Sequence, residues 1–387
     1  MNQRRPHRTS AAVRPVGGIN GLRAIAALMI VVFHCWVEAG QPLVDNGVIR
    51  NFIGGSFLGV DLFFVVSGFV LFLPMVRRGG PGDGWAYVLR RVGRIAPAYY
   101  VALFIAVALG PWVRIIVPDK GFLSIAGFAH VVMLQTPILG NSTSLGFGAI
   151  GQVWTLSNEM IFYALLFFAA PAFARRPAVG LSLAAAATLL WRLVLSQTVH
   201  SPNLMQGFAF QFPTYLMHFA LGMIVAVIHV RQPARARKQF ARFAPLLFLV
   251  AAISAVWLVA RAGWRGFADV DSPGDHQLRS LGTALAFAAV LLCVVNGPAW
   301  IRRTLDVRPL HWFGGVSYGV YLYHLFFLGF AAWARGGPLV PQSTGTNQMF
   351  VALIGWTVPA VSLAAWASYT FLESPVRERF RAAAAAR

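Results

Sequence analysis

Acidic residues are scarce in this chain. Twelve Asp and Glu stand against 32 Lys and Arg in 387 residues, and charged residues make up only 11%. Soluble domains carry about 25% charged residues, so composition argues against a hydrophilic shell around one large soluble core. Cysteine is almost missing. Cys35 and Cys293 are the only two, both in apolar runs far apart, which leaves no disulfide framework and no zinc spacing. No G-x-S-x-G elbow and no phosphate loop occurs. No repeat of fixed period stands out.

What the chain has instead is apolar length. Hydrophobic residues reach 58%, and about ten runs approach the length of a membrane helix. They lie near 22–39, 56–75, 95–113, 152–173, 178–197, 212–230, 244–260, 280–297, 312–334 and 350–372. The fold class expected is an all-α, polytopic transmembrane bundle in the plasma membrane. A disordered basic cytoplasmic tail (1–20) is expected before the membrane domain (21–376), and a second basic cytoplasmic tail (377–387) after it. The stretch 121–139 is apolar but holds His130, Gln135 and Pro137, and reads as a shallow or re-entrant element. The basic start, the first apolar run and Val37-Glu38-Ala39 resemble a cleavable signal. The many spans that follow, and a histidine inside that run, favour a retained first span.

A net charge of +20 suits nucleic acid as well as a membrane. The distribution favours the membrane and no nucleic-acid partner. With the N-terminus inside, segments 1–23, 77–94 and 231–242 carry five Lys and Arg each, 377–387 four, 302–308 three and 175–176 two. Only Arg50, Arg114, Lys120, Arg192, Arg261, Arg265, Arg279 and Arg335 remain for the other side. That asymmetry is the positive-inside pattern and places both termini in the cytoplasm, against anionic headgroups.

Ionisable residues within spans are costly and mark function by default. Here they are Arg23, His34, Asp61, Glu159, Arg192 and His324. Arg23 and His34 are eleven residues apart, three helical turns plus about 20°, so they share a face with about 16 Å of rise between them. A neutral imidazole at His34 suits proton removal from a hydroxyl. The topology puts Asp61, Glu159 and His324 at about the same depth, where a carboxylate beside His34 would orient it. The plainer alternative is a structural polar network between helices. Glu159 and Tyr163 are four apart on one face. Ser317, Tyr321 and His324 form a polar stripe suited to a cavity wall or to helix packing. In RRVGRIAPAYY, Arg90 and Arg94 share a face and, with Arg91, offer forks for phosphate; anchoring at the membrane surface is the competing role. Pro97 would begin or kink the helix there. Cys35 points about 100° away from His34, which disfavours a Cys/His pair.

Six segments together resemble the acyltransferase family 3 membrane proteins. They are GLRAIAALMIVVFHCW, with Arg23 and His34 at the family's spacing, GVDLFFVVSGFVL, RRVGRIAPAYY, QVWTLSNEMIFYALLF, FGGVSYGVYLYHLFF and FLESPVRERF. In order they cover residues 17–380. The resemblance implies transfer of an acyl group from acyl-CoA (acetyl-CoA or a short-chain acyl-CoA) to a hydroxyl, usually on a carbohydrate, with Arg23 and His34 as functional positions. Family acceptors include surface polysaccharides, lipopolysaccharide, peptidoglycan and macrolide sugars. Many relatives carry a fused esterase-like domain. The length of this chain suggests the stand-alone type that includes macrolide acyltransferases of antibiotic biosynthesis.

Residues and resemblance together suggest a route. Arg90, Arg91, Arg94 and Arg23 would hold the nucleotide phosphates. His34 would deprotonate the acceptor, with Asp61 or Glu159 orienting it. Tyr163, Ser317, Tyr321 and His324 would line the substrate or supply oxyanion donors. A thioester is already activated and requires no metal. Transient acylation of His34 is a variant. A transporter or flippase for a lipid-linked or glycosylated molecule is the rival class, and a non-catalytic scaffold ranks behind both.

Overall fold

Within a bilayer every backbone N–H and C=O must be satisfied internally, so long apolar runs become helices. The computed structural model describes residues 16–42, 47–113, 125–139, 148–199, 208–265, 273–335 and 346–385, with no strand among them. The expected tail 1–20 lies largely outside the described residues.

The helices are α1 (Ile19–Glu38), α2 (Gly47–Gly54), α3 (Gly59–Arg78), α4 (Gly84–Val113), α5 (Ile125–Val131), α6 (Gln135–Leu139), α7 (Trp154–Arg175) and α8 (Pro177–Thr198). They continue as α9 (Leu216–Arg231), α10 (Ala234–Arg265), α11 (Pro273–Asn296), α12 (Ala299–Leu305), α13 (Arg308–Ala334), α14 (Asn347–Ser368) and α15 (Ser374–Ala385). Among the described residues nine segments are long and apolar enough to cross a membrane, and a bent pair makes ten. That pair is α11 and α12, which meet at 112°. The bend falls at Pro298, whose extended backbone (φ −64°, ψ 152°) caps α12 and which has no N–H to continue α11.

All ten runs expected from hydropathy are therefore helical, as a multi-pass membrane protein requires. Two details differ. α4 begins at Gly84, well before residue 95, because arginine is a good helix former and carries the helix past the hydropathy edge. Pro97 accordingly lies inside α4 rather than at its start. The described part of the stretch 121–139 is two short helices, α5 and α6, neither long enough by itself to cross a membrane. They are tied down by polar side chains. Tyr99 and Tyr100 donate to the carbonyls of His130 and Val131 at 2.7 and 2.8 Å, and Gln135 Nε2 donates to Val153 O at 2.6 Å.

α3 is the most enclosed span, with 78% of its apolar window buried, against 22% for α8 and for α10. On α10, Leu246, Leu249, Ile253 and Trp257 stay exposed, the mark of a lipid-facing surface. Inner helices meet backbone to backbone at glycines, as membrane helices do at small residues. A Cβ on Gly68 of α3 would fall 2.1 Å from Phe219 O of α9, and one on Gly222 of α9 would fall 2.0 Å from Val65 O of α3. A Cβ on Gly314 of α13 would lie 1.8 Å from Asn20 O of α1. The first turn of α1 has no acidic residue of its own. Asp306, between α12 and α13, serves instead, its Oδ1 accepting from Gly18 N at 2.7 Å. A carboxylate there also complements the positive end of the α1 dipole.

Gly68→Ala is expected to lower stability by about 1–3 kcal/mol through overpacking. Gly355→Ala, whose Cβ would meet nothing within 4 Å, is expected to add about 0.5–1 kcal/mol of helix stability. Thermal unfolding in one detergent checks both, and equal midpoints for the two variants would refute the backbone contact.

Candidate functional site

α1 and α13 run side by side in the same direction, Asn20 beside Gly314 at one end and His34 beside His324 further along. The His34 Nδ1 lies 2.9 Å from the carbonyl of Ile30, one turn back on its own helix, and 3.2 Å from His324 Nε2. The two rings sit 4.9 Å apart at 55°. His324 Nδ1 in turn lies 2.8 Å from Tyr321 O.

These contacts fix the tautomers. A carbonyl oxygen only accepts, so both Nδ1 atoms must carry protons. The His34 Nδ1–H is shared between Ile30 O and His324 Nε2, so that nitrogen accepts and has no proton. The remaining nitrogen, His34 Nε2, is then an unprotonated acceptor with none of the described side chains bonded to it. His34 keeps partial exposure, whereas Ile30, Val31 and Cys35 around it are buried. Such a ring is oriented as a general base is oriented, with an imidazole and a carbonyl in place of a carboxylate.

A continuous polar layer extends from this pair. The Tyr321 hydroxyl donates to Gln152 O and accepts from Thr155 Oγ1, the latter at 2.8 Å. Gln152 Nε2 donates to Leu322 O at 2.9 Å. Glu159 comes next, within electrostatic reach of Tyr321. Its two oxygens accept from Ser67 Oγ at 2.8 Å and Tyr163 OH at 3.0 Å. Tyr87 OH donates to Tyr163 O at 2.9 Å, and the Arg91 guanidinium lies 5.1 and 5.4 Å from the centres of the Tyr87 and Tyr163 rings. Arg23 closes the layer, with Arg94, Glu159, Tyr163 and Glu373 as its charged and polar surroundings.

The expected residues thus divide. Arg23 and His34 lie on one helix, at the two ends of the layer. Glu159 and Tyr163 meet as their spacing requires. Arg94 acts on Arg23 and Arg91 lies over Tyr87 and Tyr163, whereas Arg90 has Arg78, Arg91, Asp83 and Tyr87 around it and belongs to the loop side. Ser317 is spent within its own helix, donating to Gly314 O at 2.8 Å, and Tyr321 is committed to Gln152 and Thr155. Of that stripe only His324 faces His34.

Neither Asp61 nor Glu159 stands beside His34. Asp61 Oδ1 is 2.7 Å from His218 Nε2 of α9, both side chains deeply buried. Direction was not legible: Asp61 and Ser67 are six residues apart on α3, about 240° around the axis, so only Ser67 turns toward Glu159. His218 was missed, although an ionisable residue in an apolar run is the same signal that selected the others. Ser67, Gln152 and Thr155 carry no such signal. Among the described residues no group of three or more His, Cys, Asp or Glu is arranged to hold a metal.

A family described as "Acyltransferase domain" has a model that matches residues 16–368. The chain is 23% identical over 383 residues to the putative peptidoglycan O-acetyltransferase YrhL of Bacillus subtilis, covering 94% of this chain and 55% of that protein. It is 26% identical over 328 residues to the exopolysaccharide production protein ExoZ of Rhizobium meliloti, covering 84% and 90%. With the peptidoglycan O-acetyltransferase OatA of Listeria monocytogenes it shares 23% identity over 390 residues, covering 94% and 56%. The chain therefore spans about half the length of YrhL and OatA. No solved structure matches.

Nitrogen-15 labelling of histidine in the intact protein is expected to show His34 and His324 both in the Nδ1–H tautomer, assigned by comparison with His34→Ala and His324→Ala. An Nε2–H signal from either ring would overturn the hydrogen-bond order given above.

Proposed function

The chain belongs to the acyltransferase domain family, and from that premise we propose that it moves an acyl group from acyl-CoA to a hydroxyl of a glycan, with His34 as general base. The observation that carries this reading is His34 Nε2, an unprotonated acceptor to which none of the described side chains is bonded, on a half-buried ring set by the Ile30 carbonyl and His324. His324, not Asp61 or Glu159, is assigned the orienting role. The arginines lie at the far end of the same layer, with about 16 Å of α1 between Arg23 and His34. That separation suits a donor with its anionic nucleotide at one end and its reactive thioester at the other. Arg91, Arg94 and Arg23 are the phosphate candidates, with Arg90 toward the loop at the entrance.

In the transfer, Nε2 takes the proton of the acceptor hydroxyl as its oxygen attacks the thioester carbonyl. The new C–O bond forms, the C–S bond breaks, and the departing CoA sulfur recovers the proton from His34. The names of YrhL, OatA and ExoZ favour a peptidoglycan or polysaccharide hydroxyl over a macrolide sugar, and acetyl over longer acyl groups.

The test is acceptor-dependent CoA release by the purified protein, with acetyl-CoA and longer acyl-CoAs against peptidoglycan fragments, polysaccharide oligomers and macrolides. The ester product is identified by mass spectrometry. His34→Ala is expected to lose about 10²–10⁴-fold in kcat, His324→Phe less than that, and Arg94→Ala to raise the KM for acyl-CoA. Full activity in His34→Ala would remove the base. Transport of an acceptor with acyl-CoA left intact would favour the transporter class instead.

A further inference from the structure

Between α14 and α15 the chain makes a five-residue π-turn, Tyr369–Glu373. Pro375 accounts for it. A proline there has no N–H for the carbonyl of Phe371 and its ring crowds that oxygen, and a wider turn relieves both. Such turns recur at functional sites. This one sends Phe371 outward, 73% exposed, and Glu373 inward, 8% exposed. Glu373 lies beyond the residues 16–368 that the family model matches.

Glu373 is not solvating a surface. Its Oε1 accepts from Ser368 Oγ at 3.0 Å, and Ser368 Oγ is also 3.0 Å from Tyr323 OH of α13. The cations acting on it are Arg377 on α15, Arg94 on α4 and Arg23 on α1, and the π-turn that carries it packs against α4. Tyr318 and Tyr323 complete its surroundings from α13. Arg23 and Arg94 sit on different helices and oppose each other as like charges. In a low-dielectric interior such a pair is costly unless a carboxylate stands between. Glu159 and Glu373 both act electrostatically on Arg23, and Glu373 acts on Arg94 as well.

We propose that Glu373 is a positioning residue that sets Arg23 and Arg94 as a two-pronged cradle for the diphosphate of the acyl donor. It touches no reacting atom and acts through the two guanidinium groups. The fork of each then aims at the anion rather than away from its neighbour. This rests on the donor reading above, and the anion-binding step can be measured apart from catalysis.

The experiment measures binding of CoA and, separately, of inorganic pyrophosphate to the full-length protein by calorimetry. The variants are wild type, Glu373→Gln, Glu373→Asp and Ser368→Ala, with thermal unfolding of each. Glu373→Gln is expected to weaken both ligands by about tenfold, Ser368→Ala to do so less, and Glu373→Asp to recover most of the loss. The KM for the glycan acceptor should stay within about twofold of wild type, a split that a merely structural defect would not produce. Unchanged CoA and pyrophosphate binding in a folded Glu373→Gln overturns the inference and leaves the donor reading intact. Glu373-dependent pyrophosphate binding without CoA binding supports the cradle and removes CoA as donor. If Glu373→Gln does not fold, Ser368→Ala decides, and wild-type affinity in that variant counts against the proposal. Wild-type protein that binds neither ligand has no such cradle.

Discussion

The close parallel contact between α1 and α13 is what the candidate site depends on. Nothing but a glycine fits at Gly314, where a Cβ would lie 1.8 Å from Asn20 O. The Asp306 cap on Gly18 pins the start of α1 beside the start of α13. From that fixed end both helices rise together, and the regular rise of an α-helix delivers His34 to His324. The tautomers then follow from two helix carbonyls, each within a turn of its histidine. The chemistry at one level of the membrane is set by packing about 20 Å away along the helix.

Charge survives in this bundle because it is shared. Isolated, each intramembrane arginine or carboxylate would be prohibitive. Here Glu159 and Glu373 act on Arg23, and Glu373 on Arg94 as well, and the tyrosines Tyr87 and Tyr163 receive Arg91 on their faces. Asp61 has His218. The polar groups form one layer across α1, α3, α4, α7, α13 and the π-turn, while the lipid-facing surfaces of α8 and α10 stay apolar.

Much of this was legible in the sequence, because hydropathy and helical period act along one chain. Ten spans could be placed, Arg23 and His34 could be set on one face, and the Glu159–Tyr163 pair could be drawn from its spacing. What could not be read was how neighbouring helices are turned toward each other. Position along their spans suggests Asp61 and Glu159 as partners for His34, yet their partners are His218, Ser67 and Tyr163, since rotation about each helix axis depends on packing at glycines such as Gly68 and Gly222. Ser317 and Tyr321 looked available and are consumed by local and cross-helix hydrogen bonds. Glu373 stood in plain view within FLESPVRERF, but only the π-turn brings it inward.

The glycine contacts also partition the molecule mechanically. α1 with α13, and α3 with α9, touch through backbone atoms, which cannot yield without breaking helices. α7 and α8 meet their neighbours through side chains: Gly84 approaches the Phe167 ring and Gly180 the Phe173 ring, contacts that give way by rotamer change. Those contacts can therefore yield more readily than the backbone contact between α1 and α13, the two helices that carry the histidine pair. The pairing of His34 with His324 thus rests on a backbone contact that no change of rotamer can open.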